Sequence, residues 1–303
     1  VVSNPEFLRE GSAVHDMLHP DRIVLGATDR AAAEAVAELY KSFAAPLLIT
    51  DRRTAEMIKY ASNAFLAARI SFINEVAHIC EGLGADVRQV AEGMGLDKRI
   101  GPYFLNAGIG FGGSCFPKDV MALEFMAEEA DCHPQLLHAV LDINRDSRRS
   151  FIRKLNRLLG TLEGATIALW GLAFKPETDD LREAPSLEVI RDLLARGAVL
   201  RAYDPVAMAA TQALFPSITY CADPYEAAMG ADAVALITDW NEFKGVDLER
   251  VRDGMRRPVL LDGRNLYDPH EIAALGFTYC GVGVPSPPAA LTFIPTIMQS
   301  VAD

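Results

Sequence analysis

The sequence predicts an α/β protein in which a central all-α segment with one long helix precedes a Rossmann-like, doubly wound parallel sheet. Residues 51–81 contain neither Gly nor Pro, and apolar side chains recur there every three or four positions. That spacing indicates an amphipathic helix of unusual length. From residue 165 onward, short apolar runs alternate with helical segments, which is typical of a parallel sheet.

Composition limits the class of protein. The chain has 303 residues, 50% hydrophobic and 23% charged, which is ordinary for a globular protein of about two domains. A formal charge of −12 argues against a nucleic-acid partner, since phosphate binding needs a basic excess. The sequence shows no long apolar run and no signal peptide, so no membrane partner is expected. Five cysteines without a Cys-x-x-Cys pair favour a reducing cytoplasm.

The first unit, residues 1–50, predicts a βαβ remnant. Strands are expected at 22–26 and 46–50, with a helix at about 30–42 that Thr28 and Asp29 can cap. The second unit, residues 51–148, is helical and reads as a helical core or a dimerisation domain. After the long helix, which Gly82-Leu-Gly84 should end, its elements are helices at 86–94, 119–130 and 134–159 and a Gly-rich loop at 99–117.

The third unit, residues 149–284, predicts the doubly wound sheet. Its expected strands are 166–170, 199–203, 233–237 and 259–262, and its expected helices are 186–196 and 225–229. Residues 285–303 are Pro-rich and are expected to form an arm. The segment 171–182 directly follows the first of these strands, at the sheet edge where such folds place ligands.

The densest candidate site is the string Phe111-Gly-Gly-Ser-Cys-Phe-Pro-Lys-Asp119. Cys115 precedes a predicted helix, whose N-terminus favours a thiolate, and Lys118 adds positive charge. Asp119 would face back toward Cys115 across one helical turn. The pattern predicts a nucleophilic cysteine with an acidic partner, against the alternative of an inert thiol beside a tight loop.

Two further clusters carry titratable groups. Lys59 and Asn63 are four residues apart and share a face of the long helix, where a lysine among apolar neighbours could serve as an acid or base. Glu6 and Glu10 would share a face if their segment is helical, and one of them could activate water. The alternatives are a solvated lysine and an exposed acidic turn.

Three cations fall at predicted strand ends. Lys175 and Arg182 follow one strand and Arg264 follows another, which predicts a phosphate or diphosphate site. The alternative is that Asp179 and Asp180 balance these charges. The six histidines show no helical metal spacing, so no metal site is expected.

Together the motifs resemble the UDP-glucose 6-dehydrogenase branch of the UDP-glucose/GDP-mannose dehydrogenase family, in that family's order. The matching segments are residues 4–11, 56–63, 99–101, 110–119, 171–182 and 262–264, and the resemblance spans residues 1–283. It implies that the third unit binds UDP. It also implies a twofold oxidation of UDP-glucose to UDP-glucuronate that consumes two NAD.

In this family the second oxidation passes through a cysteine thiohemiacetal and thioester, and Cys115 matches that nucleophile. By the same resemblance, Lys59 is the acid/base or oxyanion group near C6. Asn63 and Asp119 position water and protons, and Glu6 assists thioester hydrolysis.

The resemblance also implies binding residues. Those for the nucleotide sugar are Phe7, Leu8, Glu10, Arg99, Phe104, Leu105, Asn106, Gly112, Lys175 and Arg264. Those on the NAD side are Glu10, Lys118 and Arg182. Arg99 matches an arginine that family members extend into the neighbouring subunit's site, which implies a homodimer through the long helix.

One departure from the family pattern is that no Gly-x-Gly-x-x-Gly turn for NAD appears near the start. The expectation is therefore a fragment, inactive alone, that holds the end of the cofactor domain and the two following domains. Two other substrates stay open within the family, GDP-mannose and UDP-N-acetylmannosamine. A non-catalytic nucleotide-sugar binding module is the alternative from a different class.

Overall fold

The computed structural model describes residues 1–285. The predicted arm at 285–303 lies outside these residues from position 286 onward. Within the described part, no helix is both long and apolar enough to cross a membrane.

A small three-stranded sheet opens the chain, in the order β1-β2-β3. Its strands are β1 (Val2–Ser3), β2 (Ile23–Ala27) and β3 (Leu47–Thr50). β2 pairs in parallel with β3, as a βαβ unit requires, and β1 adds an antiparallel edge that the sequence did not predict. Its helices are α1 (Ala13–Leu18), also not predicted, and α2 (Arg30–Ala37). The predicted helix to about 42 was too long, because after α2 only a 3-10 turn at Glu38–Tyr40 continues it.

The long helix α3 runs over Arg52–Leu83 and is the axis of the helical unit. The Asp51 side chain caps it by accepting a hydrogen bond from the Thr54 N–H, and Gly84 ends it with φ of 73°. Small side chains such as Ala64 and Ala67 are buried along it, so other helices approach closely. Those that follow are α4 (Val87–Gly95), α5 (Phe116–Glu129) and α6 (Gln135–Leu159).

Helix α5 begins three residues earlier than predicted. Pro117 occupies its first turn, where the missing N–H leaves no hydrogen bond unmade, so Pro117 starts the helix rather than preceding it. Cys115 is consequently the residue at the N-cap position of α5.

The second sheet has six parallel strands in the order β6-β5-β4-β7-β8-β9. They are β4 (Thr166–Trp170), β5 (Val199–Tyr203), β6 (Thr219–Tyr220), β7 (Ala233–Leu236), β8 (Val259–Asp262) and β9 (Thr278–Cys280). The strand order reverses between β4 and β7, and folds of this kind place ligands at the carboxyl ends of the strands at such a reversal. The helices around this sheet are α7 (Pro185–Ala195), α8 (Met208–Leu214), α9 (Pro224–Ala228), α10 (Asn241–Lys244), α11 (Leu248–Gly254) and α12 (Pro269–Ala274).

The chain after β9 packs against the helical unit and connects that unit to the second sheet. The buried ammonium of Lys154 on α6 bonds the Glu81 carboxylate on α3 and the Gly281 carbonyl. Glu81 in turn accepts from the Gly283 N–H at 2.7 Å. Val282 and Val284 pack in the apolar cluster that contains Leu105, so the Gly-rich loop lies against both units.

Candidate functional site

The thiol of Cys115 is exposed at the start of α5, directly after a buried glycine-rich stretch. Its Sγ lies 3.6 Å from the Ser114 Oγ. The free N–H groups of the first helical turn carry partial positive charge, which stabilises a thiolate placed there. The arrangement therefore presents a nucleophile to solvent at a helix N-terminus.

Asp119 lies one turn into α5, is 2% exposed, and does not bond the thiol. Its Oδ2 accepts from Asn63 Nδ2 at 2.6 Å, and its Oδ1 lies 3.2 Å from Lys118 Nζ. The Asp119 carboxylate raises the pKa of Lys118 by hydrogen bonding and charge. Two predicted site residues from different helices, Asn63 and Asp119, thus form one buried pair.

Lys59 faces a polar partner, not the apolar surroundings that the sequence predicted. Its Nζ donates to the Glu6 carbonyl oxygen at 2.6 Å and lies 3.3 Å from Glu6 Oε1. Residues 4–9 are not helical, so Glu6 and Glu10 do not share a helical face. Instead Glu6 folds back to accept from the Leu8 N–H at 2.7 Å, and the half-buried Phe7 ring stacks on the Arg22 guanidinium.

A cavity of about 210 Å³ is lined by Ser3, Asn4, Pro5, Glu56, Lys59, Tyr60, Lys118 and Asp119. Two ammonium groups, the buried Asp119 carboxylate and the exposed Glu56 carboxylate therefore border one opening, which Cys115 does not line. Such a set can exchange protons with a bound molecule and can stabilise negative charge on it.

The Gly-rich loop is held against both units by its own backbone. The Gly108 N–H donates to Asn74 Oδ1 at 2.8 Å, and the Ile109 N–H donates to the Gly263 carbonyl at 3.0 Å. A Cβ on Gly112 would lie 2.3 Å from the Glu183 carbonyl oxygen, so only glycine fits there. Glycine at position 112 therefore lets the loop pack closely against the segment before α7.

The other loop residues predicted for substrate binding differ in exposure. Leu105 is buried, Asn106 is exposed, and the half-buried Phe104 takes a positive φ of 61° with its ring edge-on to Phe116. Leu8 is also exposed. Asn106 and Leu8 are thus open to solvent, whereas Leu105 acts through packing.

Lys175, in the loop after β4, forms a hydrogen bond with Glu10 of the first unit. The Lys175 ammonium donates to the Glu10 carbonyl oxygen, and the Glu10 carboxylate accepts from the Thr178 hydroxyl. Burial lowers the pKa of Lys175. The loop after β4 thereby brings a cation to the segment that carries Glu6.

Four of the six Asp-x-Arg sequences share one local geometry, in which the Asp Oδ1 accepts from the Arg N–H at 2.9 Å. They are Asp86–Arg88, Asp97–Arg99, Asp180–Arg182 and Asp262–Arg264. In the first three the Arg guanidinium also forms an ion pair with the aspartate of the same sequence. The expectation of three converging cations was therefore wrong for Arg182, whose charge Asp180 balances. Arg99 is likewise paired with Asp97, and it is highly exposed.

Arg264 differs from those three. Its guanidinium donates to the carbonyl oxygens of Ile237 at 2.7 Å and Gly110 at 3.2 Å, and among the described residues it has no carboxylate within ion-pair distance. Burial lowers the pKa of Arg264 and raises that of Asp262, whose Oδ2 accepts from Tyr279 OH. A cation bonded only to neutral oxygens is suited to bind an anion.

Asp204, at the end of β5, is a structural residue that sequence reasoning missed. Its buried carboxylate accepts from five N–H groups, on Leu172, Ala173, Val206, Ala207 and the Trp240 indole. In dinucleotide-binding sheets an acidic residue near this position holds a ribose hydroxyl. Here two of the five bonds hold the loop before Lys175, and the other three hold the turn after β5 and the Trp240 indole. The signal available in the sequence was Asp204-Pro205 directly after a strand.

One group in the described part of the chain has metal-ligand atoms close together: Glu124, Glu128 and His138, within 4.8 Å of one another. His138 Nδ1 lies 2.7 Å from Glu124 Oε1, so these side chains already pair with each other. The absence of a metal site stays a prediction.

Comparisons with known proteins agree with this architecture. Three models of the UDP-glucose/GDP-mannose dehydrogenase family match in sequence: its NAD binding domain at residues 1–44, its central domain at 53–146, and its UDP binding domain at 168–269. The UDP-glucose 6-dehydrogenase TuaD of Bacillus subtilis is 48% identical over 287 residues, which cover 94% of this chain and 62% of that protein. The UDP-glucose 6-dehydrogenase of Pseudomonas aeruginosa is 49% identical over 295 residues, 94% of this chain and 65% of that protein.

Solved structures show the same relationship. A UDP-glucose dehydrogenase from the hyperthermophilic archaeon Pyrobaculum islandicum superposes with a TM-score of 0.87 at 44% identity, covering 94% of this chain and 63% of that one. The UDP-D-ManNAc dehydrogenase of Pyrococcus horikoshii gives 0.81 at 28% identity, covering 93% and 64%. The chain thus spans less than two thirds of the length of these four relatives. With all three family domains matched in order, the chain belongs to the UDP-glucose/GDP-mannose dehydrogenase family.

Proposed function

We propose that this chain carries the substrate-binding and thiol chemistry of an NAD-dependent oxidation of UDP-glucose to UDP-glucuronate. The observation that carries the proposal is the cluster at the start of α5. There the exposed Cys115 lies one turn from the buried Asn63–Asp119 pair, and Lys59 and Asp119 line one cavity. Simple binding of a nucleotide sugar needs no thiol at a helix N-terminus, so the cluster favours an enzyme over a binding module.

The proposed first oxidation converts the C6 alcohol to an aldehyde. Lys59 accepts the hydroxyl proton or stabilises the developing oxyanion. NAD, when bound, accepts a hydride in each oxidation. We assign Glu10, Lys118 and Arg182 to the side of the site that faces NAD; Lys118 and Arg182 are exposed, although each is paired with an aspartate.

The proposed second oxidation runs on Cys115. Its Sγ adds to the aldehyde carbon and the thiol proton passes to the carbonyl oxygen, which gives a thiohemiacetal. Loss of a second hydride and of the hydroxyl proton leaves a thioester. Water held by Asn63 and Asp119, with Glu6 assisting, then adds to the thioester carbon. The C–S bond breaks, and the products are the carboxylate and the free thiol.

UDP binding is proposed where the Gly-rich loop meets the carboxyl end of β8, at the contact of Arg264 with the Gly110 carbonyl. Arg264 has no carboxylate partner within ion-pair distance among the described residues, and its Nη2 lies 3.5 Å from the carbonyl oxygen of Phe174, the residue before Lys175. These two cations would contact the diphosphate. The loop residues Phe104, Leu105, Asn106 and Gly112, with Phe7 and Leu8, would surround the sugar and base.

A homodimer through α3 is the proposed assembly. Phe65, Phe72 and Ile79 are each about half exposed or more and are spaced seven residues apart, so they form one apolar stripe along the helix. A second copy of α3 would cover that stripe, and Arg99 would then reach the partner's site. We further propose a cytoplasmic setting and a division into domains at 1–50, 51–148 and 149–284.

The first experiment is calorimetric titration of the 303-residue chain with UDP-glucose, with GDP-mannose and UDP-N-acetylmannosamine as comparators. Saturable binding of UDP-glucose alone would support the proposed substrate. Tighter binding of either comparator would identify that nucleotide sugar as the substrate instead of UDP-glucose. If none of the three binds, the proposed UDP site is contradicted. An Arg264→Met variant should lose the binding, whereas Arg191→Met, on α7 in the same unit, should keep it.

A further inference from the structure

Helix α6 contributes none of the site residues that the sequence predicted, yet two of its side chains hold the loop that leads to Cys115. Asn144 and Arg148 are four residues apart on α6, and both are buried. Each bonds the backbone of Phe111, at the start of the stretch Phe111–Cys115. We infer that Asn144 and Arg148 are positioning residues that place the Cys115 thiol.

Asn144 binds both backbone groups of Phe111, as a neighbouring strand would. Its Oδ1 accepts from the Phe111 N–H at 2.8 Å, and its Nδ2 donates to the Phe111 carbonyl oxygen at 3.1 Å. The approach is close enough that a Cβ on Gly110 would lie 2.3 Å from Asn144 Oδ1, and Gly110 has a φ of 93°. The Asn144 amide and the absence of a side chain at Gly110 therefore fix the position of the Phe111 backbone.

Arg148 adds a second donor to the same carbonyl and extends the contact to the sheet unit. Its Nη2 lies 2.7 Å from the Phe111 oxygen, and its Nη1 pairs with Glu188 of α7 at 2.8 Å. From the other side, the Gly113 N–H donates to the Arg182 carbonyl oxygen at 2.9 Å. The loop is thus held at Phe111 by the helical unit and at Gly113 by the loop after β4.

Phe111, which Asn144 and Arg148 hold, contacts the residue after Cys115 through one pair of aromatic rings. The Phe111 ring lies edge-on to the Phe116 ring, with centroids 5.9 Å apart. Phe116 is the first residue of α5 and directly follows Cys115. A shift of Phe111 would therefore move the start of α5, and with it the Cys115 thiol at the N-cap position.

The test measures the thiol directly and needs no turnover. Iodoacetamide alkylation of Cys115 in the 303-residue chain, followed by peptide mass spectrometry, should slow about threefold or more in Asn144→Ala, because the thiolate loses its place at the helix N-terminus. Cys132, exposed beyond the other end of α5, serves as an internal control and should react at the wild-type rate. Asn156→Ala is the matched substitution at an exposed asparagine of α6 and should leave Cys115 unchanged.

A second variant alters the contact without removing the side chain. Asn144→Asp keeps the size of the side chain and the acceptor for the Phe111 N–H but loses the donor, so it should slow Cys115 in the same direction, less than Asn144→Ala. The buried carboxylate beside the Phe111 carbonyl should lower the urea midpoint, so alkylation of every variant is measured without urea, where the protein is folded. Wild-type Cys115 reactivity in either variant would overturn the inference, and so would equal slowing of Cys132. The importance of this thiol rests on the proposed function, but alkylation needs no substrate. Failure of UDP-glucose to bind would therefore leave this result interpretable.

Discussion

Asn63 on α3 donates a 2.6 Å hydrogen bond from Nδ2 to Oδ2 of Asp119 on α5, and both side chains are buried. Fifty-six residues separate them in the chain. The bond joins the long helix to the helix that begins beside Cys115. It also supplies one of the two groups that the buried carboxylate needs, the other being Lys118.

Replacing Asn63 with Ala should destabilise the protein by about 1–3 kcal/mol, because a buried carboxylate loses a donor. Asp119→Asn should cost less, since the amide can still accept from Asn63. Urea unfolding of both single variants and the double variant gives the coupling energy, expected at roughly 0.5–3 kcal/mol for residues in contact. Strictly additive effects would show that the bond contributes nothing. Asn156→Ala controls for loss of an exposed asparagine.

Cys115→Ala should leave UDP-glucose affinity near that of the wild type and stop the oxidation before the carboxylate. The thiol is needed only to trap the aldehyde for the second hydride loss. Affinity is measured by calorimetry on the chain itself, and UDP-glucuronate by chromatography after an NAD-binding domain is supplied ahead of residue 1. Cys132→Ala, at another exposed cysteine, should behave as wild type. Completion of both oxidations by Cys115→Ala would rule out the thioester route.

UDP affinity should fall as the pH rises, and this fall should occur at a lower pH than at a site with an ordinary lysine. Burial lowers the pKa of Lys175 in the free protein, whereas a bound diphosphate would raise it. Affinity is therefore full below the lowered pKa, and above it binding takes up a proton, which calorimetry in buffers of different ionisation enthalpy detects.

Lys175→Met should remove this pH dependence and weaken binding by roughly 10- to 100-fold, the loss of a charge-assisted contact of about 1.5–3 kcal/mol. Lys244→Met, at an exposed lysine of the same unit, should change neither. Proton uptake that persists in Lys175→Met would assign the dependence to another group.

Phe72→Glu should convert the proposed dimer to a monomer. Phe72 is 49% exposed at the middle of the stripe formed with Phe65 and Ile79, and two carboxylates there would face each other across a twofold axis. Light scattering after size exclusion measures the mass. Leu214→Glu changes a leucine of similar exposure on α8 and should leave the mass unchanged. A wild-type mass for Phe72→Glu would place the interface elsewhere.

The long elements could be predicted from the sequence because their signals are local. The bounds of α3 follow from its apolar spacing, its Asp51 cap and Gly84, and strands β4, β5, β7 and β8 stand out as apolar runs. β1, β6 and β9 have two or three residues each, too few for any periodicity. Pairing with a neighbouring strand creates them, and that partner is distant in sequence.

The chemical groups of the candidate site were also visible in the sequence, but their pairing was not. Asn144 and Arg148 were missed because the sequence pattern of a polar residue on a helix is the same whether its side chain contacts solvent or bonds the backbone of a loop. Asp204 was missed because its five donors come from three separate segments, which only the fold brings together.

The six Asp-x-Arg sequences show where the sequence by itself stops. In four of them the aspartate accepts from the backbone N–H two residues on, whereas Asp51 caps the start of α3 and Asp146 lies within α6. The sequence thus determined the acceptor and the cation, and the surrounding element decided whether the turn forms. Only the tertiary structure decided that Arg264 leaves its aspartate while Arg88, Arg99 and Arg182 do not. Asp262 is enclosed beside Tyr279, and carbonyl oxygens from two other segments surround the Arg264 guanidinium. A side chain's charge is set by its own chemistry, but whether that charge stays available for a ligand depends on which neighbours the fold brings to it.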